Sequence, residues 1–293
     1  MTHDSAVEHP SWSMLVLTVP PPELEYVSDA LWRAGVVAIE ERPLGSNEVS
    51  MSSTSDEVEL WTSVGEYITD VVQALANEGI TYPWRVEQID RAVADTWRQH
   101  AECVQVTEEV MICPSWKMST LDSEKRVIFI DPHDMFGLGN HPTTQLALRL
   151  ALRHCERGSN VVDVGCGSGV LAVALSVLRD ANCRAFDIHP STASVVLSNA
   201  RLNDCHVQVE EGFADIQSDW ADIVLANILA PVLIDIAEDL ERICQRGAVV
   251  VLAGLRSDQS ERVLSAYNGW RVVDEEECDG WLGLVLMRES VSS

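Results

Sequence analysis

Residues 161–169 have the sequence Val-Val-Asp-Val-Gly-Cys-Gly-Ser-Gly, an apolar strand that runs into a glycine-rich turn. A helical pattern follows at 170–178, and a second apolar strand at 184–186 ends at Asp187. Glycines let the backbone turn tightly and approach a ligand at the carboxyl edge of a parallel sheet, and an acid after the second strand can accept hydrogen bonds from ribose hydroxyls. The segment therefore predicts a cofactor site that uses Gly165, Gly167 and Asp187.

The spacing of the glycines separates two kinds of cofactor. The dinucleotide fingerprint, Gly-x-Gly-x-x-Gly, needs glycine at 170 to close the helix around a pyrophosphate, and this position is Val170. The sequence instead has Gly-x-Gly-x-Gly, with Asp163 two residues before the first glycine, where an acid can meet an ammonium group. S-adenosylmethionine has a ribose and an α-ammonium group but no pyrophosphate. These residues therefore favour S-adenosylmethionine, with Asp163 among its contacts.

Apolar runs alternate with helical stretches around this segment, which predicts a parallel sheet with helices on both faces. The last two runs have no helix between them and are expected to form a hairpin that gives the sheet one antiparallel strand. The predicted strands are 161–164, 184–186, 207–209, 222–225, 248–252, 270–273 and 281–287, and the predicted helices are 170–178, 192–202, 231–242 and 258–267.

The first hundred residues have a different order, β-α-β-β-α-β, which is that of a ferredoxin-like α+β module. The predicted strands are 14–19, 36–40, 58–62 and 84–89, and the predicted helices are 23–34 and 66–77. A serine-rich loop is expected at 45–56 and a connecting helix at 90–100. Two further strands, 110–113 and 127–130, are expected around a turn at 114–116.

Composition limits the partners and the compartment. The 293 residues carry 20 Lys and Arg against 46 Asp and Glu, a formal net charge of −26. Such a surface repels phosphate backbones, which argues against direct binding to nucleic acid, and it attracts basic proteins, although the same charge also serves solubility. The eight cysteines show no Cys-x-x-Cys pair and no zinc spacing. We therefore expect buried thiols in a reducing compartment, with neither a disulfide framework nor a metal.

The chain shows no sign of secretion or of membrane insertion. Residues 1–12 are polar and acidic, unlike a signal peptide, and no apolar run is long enough to cross a bilayer. We expect a cytoplasmic protein.

Two more motifs are expected near the glycine loop. Residues 131–144 have the sequence Asp-Pro-His-Asp-Met-Phe-Gly-Leu-Gly-Asn-His-Pro-Thr-Thr, in which Thr143 or Thr144 can cap a helix at 145–152 and reach the cofactor. His141 fits a hydrogen-bond donor that locks the turn better than it fits a catalytic base. Asn227, after the strand at 222–225, can accept a hydrogen bond from a substrate amine, cap the helix that follows, or do both.

Together these motifs resemble the bacterial ribosomal protein L11 methyltransferase family (PrmA). The elements that carry the resemblance are Phe136-Gly-Leu-Gly-Asn-His-Pro-Thr-Thr144, Asp163-Val-Gly-Cys-Gly-Ser-Gly-Val-Leu171, Asp187 and Ala226-Asn-Ile-Leu-Ala230. The resemblance implies a Rossmann-like, seven-stranded class I methyltransferase domain at 103–293. A ferredoxin-like substrate-recognition domain at 1–89 and a linker helix at 90–102 would precede it.

The resemblance also implies residue roles. Cofactor contacts are expected from Thr144, Gly165, Asp187 and Asn227, and we add Phe136 at the start of the first motif. The family usually has threonines where Leu138 and Asn140 stand here, so hydroxyl contacts at these positions are lost or replaced.

The expected activity is methyl transfer from S-adenosylmethionine to amino groups, either lysine side chains or an N-terminal α-amine. The expected substrate is a basic protein, foremost ribosomal protein L11, and Asn227 is the candidate catalytic residue. Two alternatives stay open at this point. One is a related methyltransferase for another protein lysine or a small molecule, and the other is a cofactor-binding regulator without turnover.

Overall fold

The computed structural model describes residues 11–34, 36, 39–43, 57–63, 68–90, 101–120, 124–132 and 137–288. The chain forms two compact units, Met1–Ala101 and Glu102–Ser293. The predicted loop at 45–56 and most of the predicted linker helix at 90–102 lie outside the described residues, so both stay predictions. No helix in the described ranges is long and apolar enough to cross a membrane.

The first unit is an antiparallel sheet with the strand order β2-β3-β1-β4 and two packed helices. Helix α1 contributes Val27 and Leu31, four residues apart, and α2 contributes Val71 and Leu75 to one core with the strands. This topology confirms the ferredoxin-like prediction. The elements are β1 Ser11–Val19, α1 Leu24–Arg33, β2 Ile39–Pro43, β3 Val58–Ser63, α2 Ile68–Asn77 and β4 Trp84–Asp90.

The second strand begins later than the sequence predicts. The apolar residues from Val36 suggested a strand at 36–40, whereas β2 covers Ile39–Pro43. The Val36 amide donates to the Leu31 carbonyl over 3.3 Å, and its side chain is buried in the core. Val36 therefore follows the end of α1 rather than starting β2. It is apolar because its side chain is buried in the core, as the side chain of a strand residue would be.

The second unit starts with a small three-stranded sheet. Strand β5, Val104–Gln105, pairs antiparallel with β6, Val110–Pro114, and β6 pairs parallel with β7, Arg126–Ile130. The turn expected at 114–116 is a 3₁₀ helix at Ser115–Thr120.

The large sheet has seven strands in the order β10-β9-β8-β11-β12-β14-β13, and β14 runs antiparallel to both neighbours. This confirms the predicted parallel sheet, its closing hairpin and the class I fold. The strands are β8 Asn160–Val164, β9 Asn182–Phe186, β10 Val207–Val209, β11 Ala221–Asn227, β12 Cys244–Arg256, β13 Trp270–Cys278 and β14 Trp281–Arg288. The helices are α3 Pro142–His154, α4 Val170–Arg179, α5 Thr192–Leu202, α6 Ala230–Asp235, α7 Ala237–Ile243 and α8 Ser260–Leu264.

Alternate residues of each strand enter separate cores on the two faces of the sheet. Val161 and Leu225 pack with α3, α4 and α5, whereas Val162 and Val224 pack with α6, α7 and α8. Because the central parallel strands are covered on both faces, β8, β11 and β12 contain continuous apolar runs rather than an alternating pattern.

One predicted helix is divided. The apolar spacing indicated a single helix at 231–242, but the backbone leaves the helical conformation at Ile236, with φ −99° and ψ 8°, between α6 and α7. Leu233 and Leu240 are both buried, seven residues apart. Their spacing continues across the break, so periodicity does not reveal it.

The cysteine prediction was wrong for one pair. Cys103 and Cys113 form a disulfide, with their Cα atoms 4.2 Å apart. Cys103 directly precedes β5 and Cys113 lies in β6, next to the pair in which Val104 lies opposite Ile112. Strand pairing therefore brings together two residues ten positions apart, which a search for short Cys motifs does not detect. The other six cysteines are free.

Alkylation tests the disulfide. In denaturant without reductant, iodoacetamide is expected to modify six of the eight cysteines, and all eight after reduction, because only Cys103 and Cys113 are oxidised. Mass spectrometry of the intact protein gives the count. A Cys113→Ser variant is the control and should expose Cys103 as one additional reactive thiol. Modification of all eight without reductant would show that the pair is reduced.

Candidate active site

The glycine loop after β8 has the backbone that its sequence requires. Gly165, Gly167 and Gly169 have φ values of 68°, 52° and 77°, in the left-handed region that favours glycine. A Cβ at Gly165 would overlap the side chain of Ile228, and one at Gly169 would lie 2.9 Å from Val196. The loop therefore brings bare backbone to the carboxyl edge of the sheet.

Asp187 follows β9 and is bonded to this loop. Its Oδ2 accepts a hydrogen bond from the Gly167 amide at 2.9 Å, and its Oδ1 accepts one from the His189 amide at 2.9 Å. Two carboxylate oxygens have about four lone-pair positions, so each keeps acceptor capacity for a ligand hydroxyl.

Asp163 is buried beneath the loop, with 1% of its surface exposed. Its Oδ2 accepts from the Ala172 amide of α4 at 3.1 Å, whereas its Oδ1 has no hydrogen-bond partner among the described residues. Burial and, to a smaller extent, the nearby charge of Asp187 raise the pKa of Asp163 to about 7, against the lowering effect of the Ala172 bond. A buried acid with one unpaired oxygen is suited to a cationic ligand group.

Asn227 ends β11 and faces the first turn of α3. Its Nδ2 donates to the Thr144 Oγ1 over 3.4 Å, while its Oδ1 is buried and has no partner among the described residues. The helix cap suggested for Asn227 was wrong, because the N-cap of α6 is Leu229. With its amide nitrogen directed to Thr144, the oxygen of Asn227 is left as an acceptor.

His141 caps α3, so the predicted threonine cap was wrong. Its Nδ1 accepts from the Thr143 amide at 3.3 Å and lies 2.8 Å from the Thr143 hydroxyl. The ring therefore fixes the turn as expected, but as an acceptor toward this amide rather than as a donor. Burial lowers the pKa of His141, which favours the neutral ring that accepts.

Asn199, which was not predicted from the sequence, joins the glycine loop to the motif at 131–144. Asn199 of α5 is fully buried, donates to the carbonyls of Ser168 and Asp131 over 2.9 and 3.0 Å, and accepts from the Asp131 amide at 2.9 Å. Ser168 in turn donates its hydroxyl to the Gly137 carbonyl at 2.7 Å. One available signal was a second asparagine four residues on, Asn203, which binds both backbone groups of Phe129.

The structure thus brings most of the predicted site residues to one edge of the sheet. Asp187, the glycine loop and Asn227 follow the adjacent strands β9, β8 and β11, and Thr144 contacts Asn227. Phe136 lies outside the described residues, and its predicted contact stays a prediction. Among the residues with described positions, no three His, Cys, Asp or Glu side chains converge as metal ligands.

Comparisons with known proteins give a consistent result. A family model, "Ribosomal protein L11 methyltransferase (PrmA)", matches residues 11–289. The ribosomal protein L11 methyltransferase of Synechococcus sp. (strain RCC307) is 32% identical over 97% of this chain and 99% of its own length. The protein of the same name from Methylococcus capsulatus is 30% identical, over 95% and 100%.

A solved structure is also similar. The crystal structure of a ribosomal protein L11 methylase from Lactobacillus delbrueckii subsp. bulgaricus has 27% identity and a TM-score of 0.58, over 64% of this chain and 98% of that one.

An Asp163→Asn variant tests the buried acid. The pKa of Asp163 is about 7 in the folded protein and about 3.9 in the unfolded chain. The contribution of this group to the free energy of unfolding of the wild type is therefore highest below pH 4 and is lost as the pH rises to 7. Asparagine does not ionise. The variant should therefore gain free energy of unfolding relative to wild type between pH 5 and pH 8, by at least about 1.4 kcal/mol, the equivalent of one pKa unit.

Urea unfolding at several pH values measures this difference. Asp235→Asn, at the exposed end of α6, is the control for removing one negative charge from an acidic chain. Parallel stability curves for wild type and Asp163→Asn would mean that Asp163 is not protonated in the folded protein.

Proposed function

The chain belongs to the ribosomal protein L11 methyltransferase family, and we propose that it transfers methyl groups from S-adenosylmethionine to amino groups of ribosomal protein L11. The observation that carries the proposal is the buried Oδ1 of Asn227, held as a free acceptor by the bond from Nδ2 to Thr144 beside the glycine loop. The family agrees with the expected enzyme class and methyl donor.

The residues at the sheet edge fit S-adenosylmethionine. The glycine loop presents backbone at the carboxyl edge of the sheet, and the absence of a Cβ at Gly165 makes room for the side chain of Ile228, which follows Asn227. Asp187 keeps acceptor capacity for ribose hydroxyls, and the unpaired Oδ1 of Asp163 suits the α-ammonium group. Thr144 and Gly167 complete the proposed contacts. When bound, the cofactor supplies an electrophilic methyl group on a sulfonium.

Asn227 is proposed to bind and orient the amine that accepts the methyl group. An amine accepts a methyl group only when it is neutral, and a lysine, with a pKa of about 10.4, is mostly protonated in water at neutral pH. Burial at the sheet edge disfavours the charged form and lowers the amine pKa. The Asn227 Oδ1 then accepts a hydrogen bond from an amine N–H, which orients the lone pair along the line of displacement, and solvent takes the proton.

The charge of the chain suits a basic protein substrate. A net charge of −26 attracts a cationic ribosomal protein and repels nucleic acid, so the enzyme is proposed to bind the protein directly. The ferredoxin-like unit is proposed to capture this substrate, and the cytoplasm is the proposed compartment.

Asn227→Ala tests the catalytic role. Because the acceptor oxygen is lost together with the bond from Nδ2 to Thr144, turnover on L11 should fall on the order of 10²-fold, as for other single polar groups that act in a transition state. Affinity for S-adenosylmethionine, measured by isothermal titration calorimetry, should change much less. Asn182→Ala, exposed at the start of β9 on the opposite edge, is the control. Equal losses of turnover and cofactor affinity would assign Asn227 to cofactor binding instead.

Salt tests the charge argument. Raising the ionic strength from about 0.05 M to about 0.5 M shortens the screening length several-fold, so KM for L11 should rise while cofactor affinity stays nearly constant. Initial-rate kinetics with purified L11 measure the effect. A KM that does not depend on salt would remove electrostatic attraction as the basis of substrate choice.

A further inference from the structure

The strand order indicates the side from which the acceptor approaches. Asp187 and the glycine loop follow β9 and β8, so the proposed cofactor contacts occupy one half of the carboxyl edge. Asn227 ends the next strand, β11, and the edge continues through the end of β12 at Arg256 to the start of β14 at Trp281. An acceptor that reaches Asn227 from the side opposite the cofactor therefore passes over this second half.

Aromatic and cationic groups line that half. The Trp281 ring meets the His141 ring edge to face, with centroids 5.2 Å apart, and the Arg256 guanidinium lies over the Trp281 ring at 5.5 Å. Arg256 and Trp281 are opposite each other in the β12–β14 pairing. His141 caps the helix turn that contains Thr144, and Thr144 contacts Asn227. A continuous chain of contacts therefore connects the Asn227 amide to the Trp281 ring through Thr144 and His141.

We propose that Trp281, supported by His141, forms the acceptor wall, the surface against which the alkyl chain of the acceptor amine and its methylated ammonium products lie. The proposal rests on the proposed function and adds a residue that governs acceptor binding. Trp281 is half-buried, so it offers both packing support and a surface open to a ligand.

The chemistry of the product favours an aromatic wall. Each methyl transfer to an amine makes the ammonium product more apolar while it keeps its charge, and the face of a tryptophan attracts such cations better than other side chains do. The exposed Arg256 side chain lies over the ring at 5.5 Å, which shows that the ring can hold a cation, and the ammonium product is proposed to take the place of this guanidinium. Burial lowers the pKa of His141, so the ring behind Trp281 stays neutral and does not repel the ammonium group.

Substitutions of Trp281 test the acceptor wall. Trp281→Met keeps an apolar, adaptable side chain but removes the ring, and it should raise KM for L11 about tenfold while cofactor affinity stays within about twofold. Trp281→Phe keeps a ring and should retain most of the wild-type KM. Trp270→Met is the matched control, because Trp270 is also half-buried but pairs with Arg288 at the opposite end of the hairpin. An unchanged KM in Trp281→Met, or an equal rise in Trp270→Met, would overturn the proposal.

A second measurement does not depend on methylation of L11. Tetramethylammonium is titrated into tryptophan-labelled wild-type enzyme saturated with S-adenosylhomocysteine, and the indole N–H signals are followed by NMR. The Trp281 signal, identified by its absence in Trp281→Phe, should shift, whereas that of Trp270 should not. A Trp281 signal that does not move overturns the wall. A wild-type enzyme that binds the cofactor but leaves L11 unmethylated instead overturns the proposed function, and the titration still decides the wall.

Discussion

The hydrogen bond from the Gly167 amide to the Asp187 carboxylate joins the carboxyl ends of two neighbouring parallel strands. It can form only because the backbone between β8 and α4 takes left-handed conformations at three glycines. At Gly165 the absence of a Cβ also makes room for the side chain of Ile228. Asn199 also connects this loop to Asp131, through hydrogen bonds with the Ser168 carbonyl and the Asp131 amide.

Two polar atoms at the site remain without a partner among the described side chains, and they lie on different strands. The Oδ1 of Asp163 and the Oδ1 of Asn227 are both buried, and burying an unpaired acceptor costs free energy. Each side chain is fixed through its other atom, by the Ala172 amide and by the Thr144 hydroxyl. Each free oxygen therefore already points in a fixed direction before a ligand binds. Preformed hydrogen-bond acceptors of this kind can hold the methyl donor and the amine in the alignment that methyl transfer requires.

Helix α3 links the cofactor half of the site to the acceptor half. Its N-cap His141 contacts Trp281, and its third residue, Thr144, contacts Asn227. The helix is held on the sheet by ion pairs of Arg149 and Arg153 with Glu276 on β13. The same helix turn therefore sets the amide that orients an amine and the ring that we propose supports it.

Both folds, the family and most of the residues at the carboxyl edge of the large sheet could be predicted from the order of residues along the chain. These features depend on local order: apolar runs, glycine spacing and the residue that follows each strand are all visible along the chain. The resemblance to the L11 methyltransferases, carried by motifs between residues 136 and 230, is confirmed by the match over residues 11–289. The turn at Val36 and the break at Ile236 were not predicted, because buried positions are apolar in turns, strands and helices alike and the apolar pattern does not distinguish them.

The contacts between side chains, by contrast, depend on how the strands and helices pack. The disulfide of Cys103 with Cys113, the cap of α3 by His141, the Asn199 contacts and the approach of Trp281 to His141 depend on strand register and helix docking. In each case the contact depends on how a strand or helix is placed against another element, so local sequence patterns do not show it. The residue types of the site could therefore be predicted, whereas the direction in which each polar atom points came from packing.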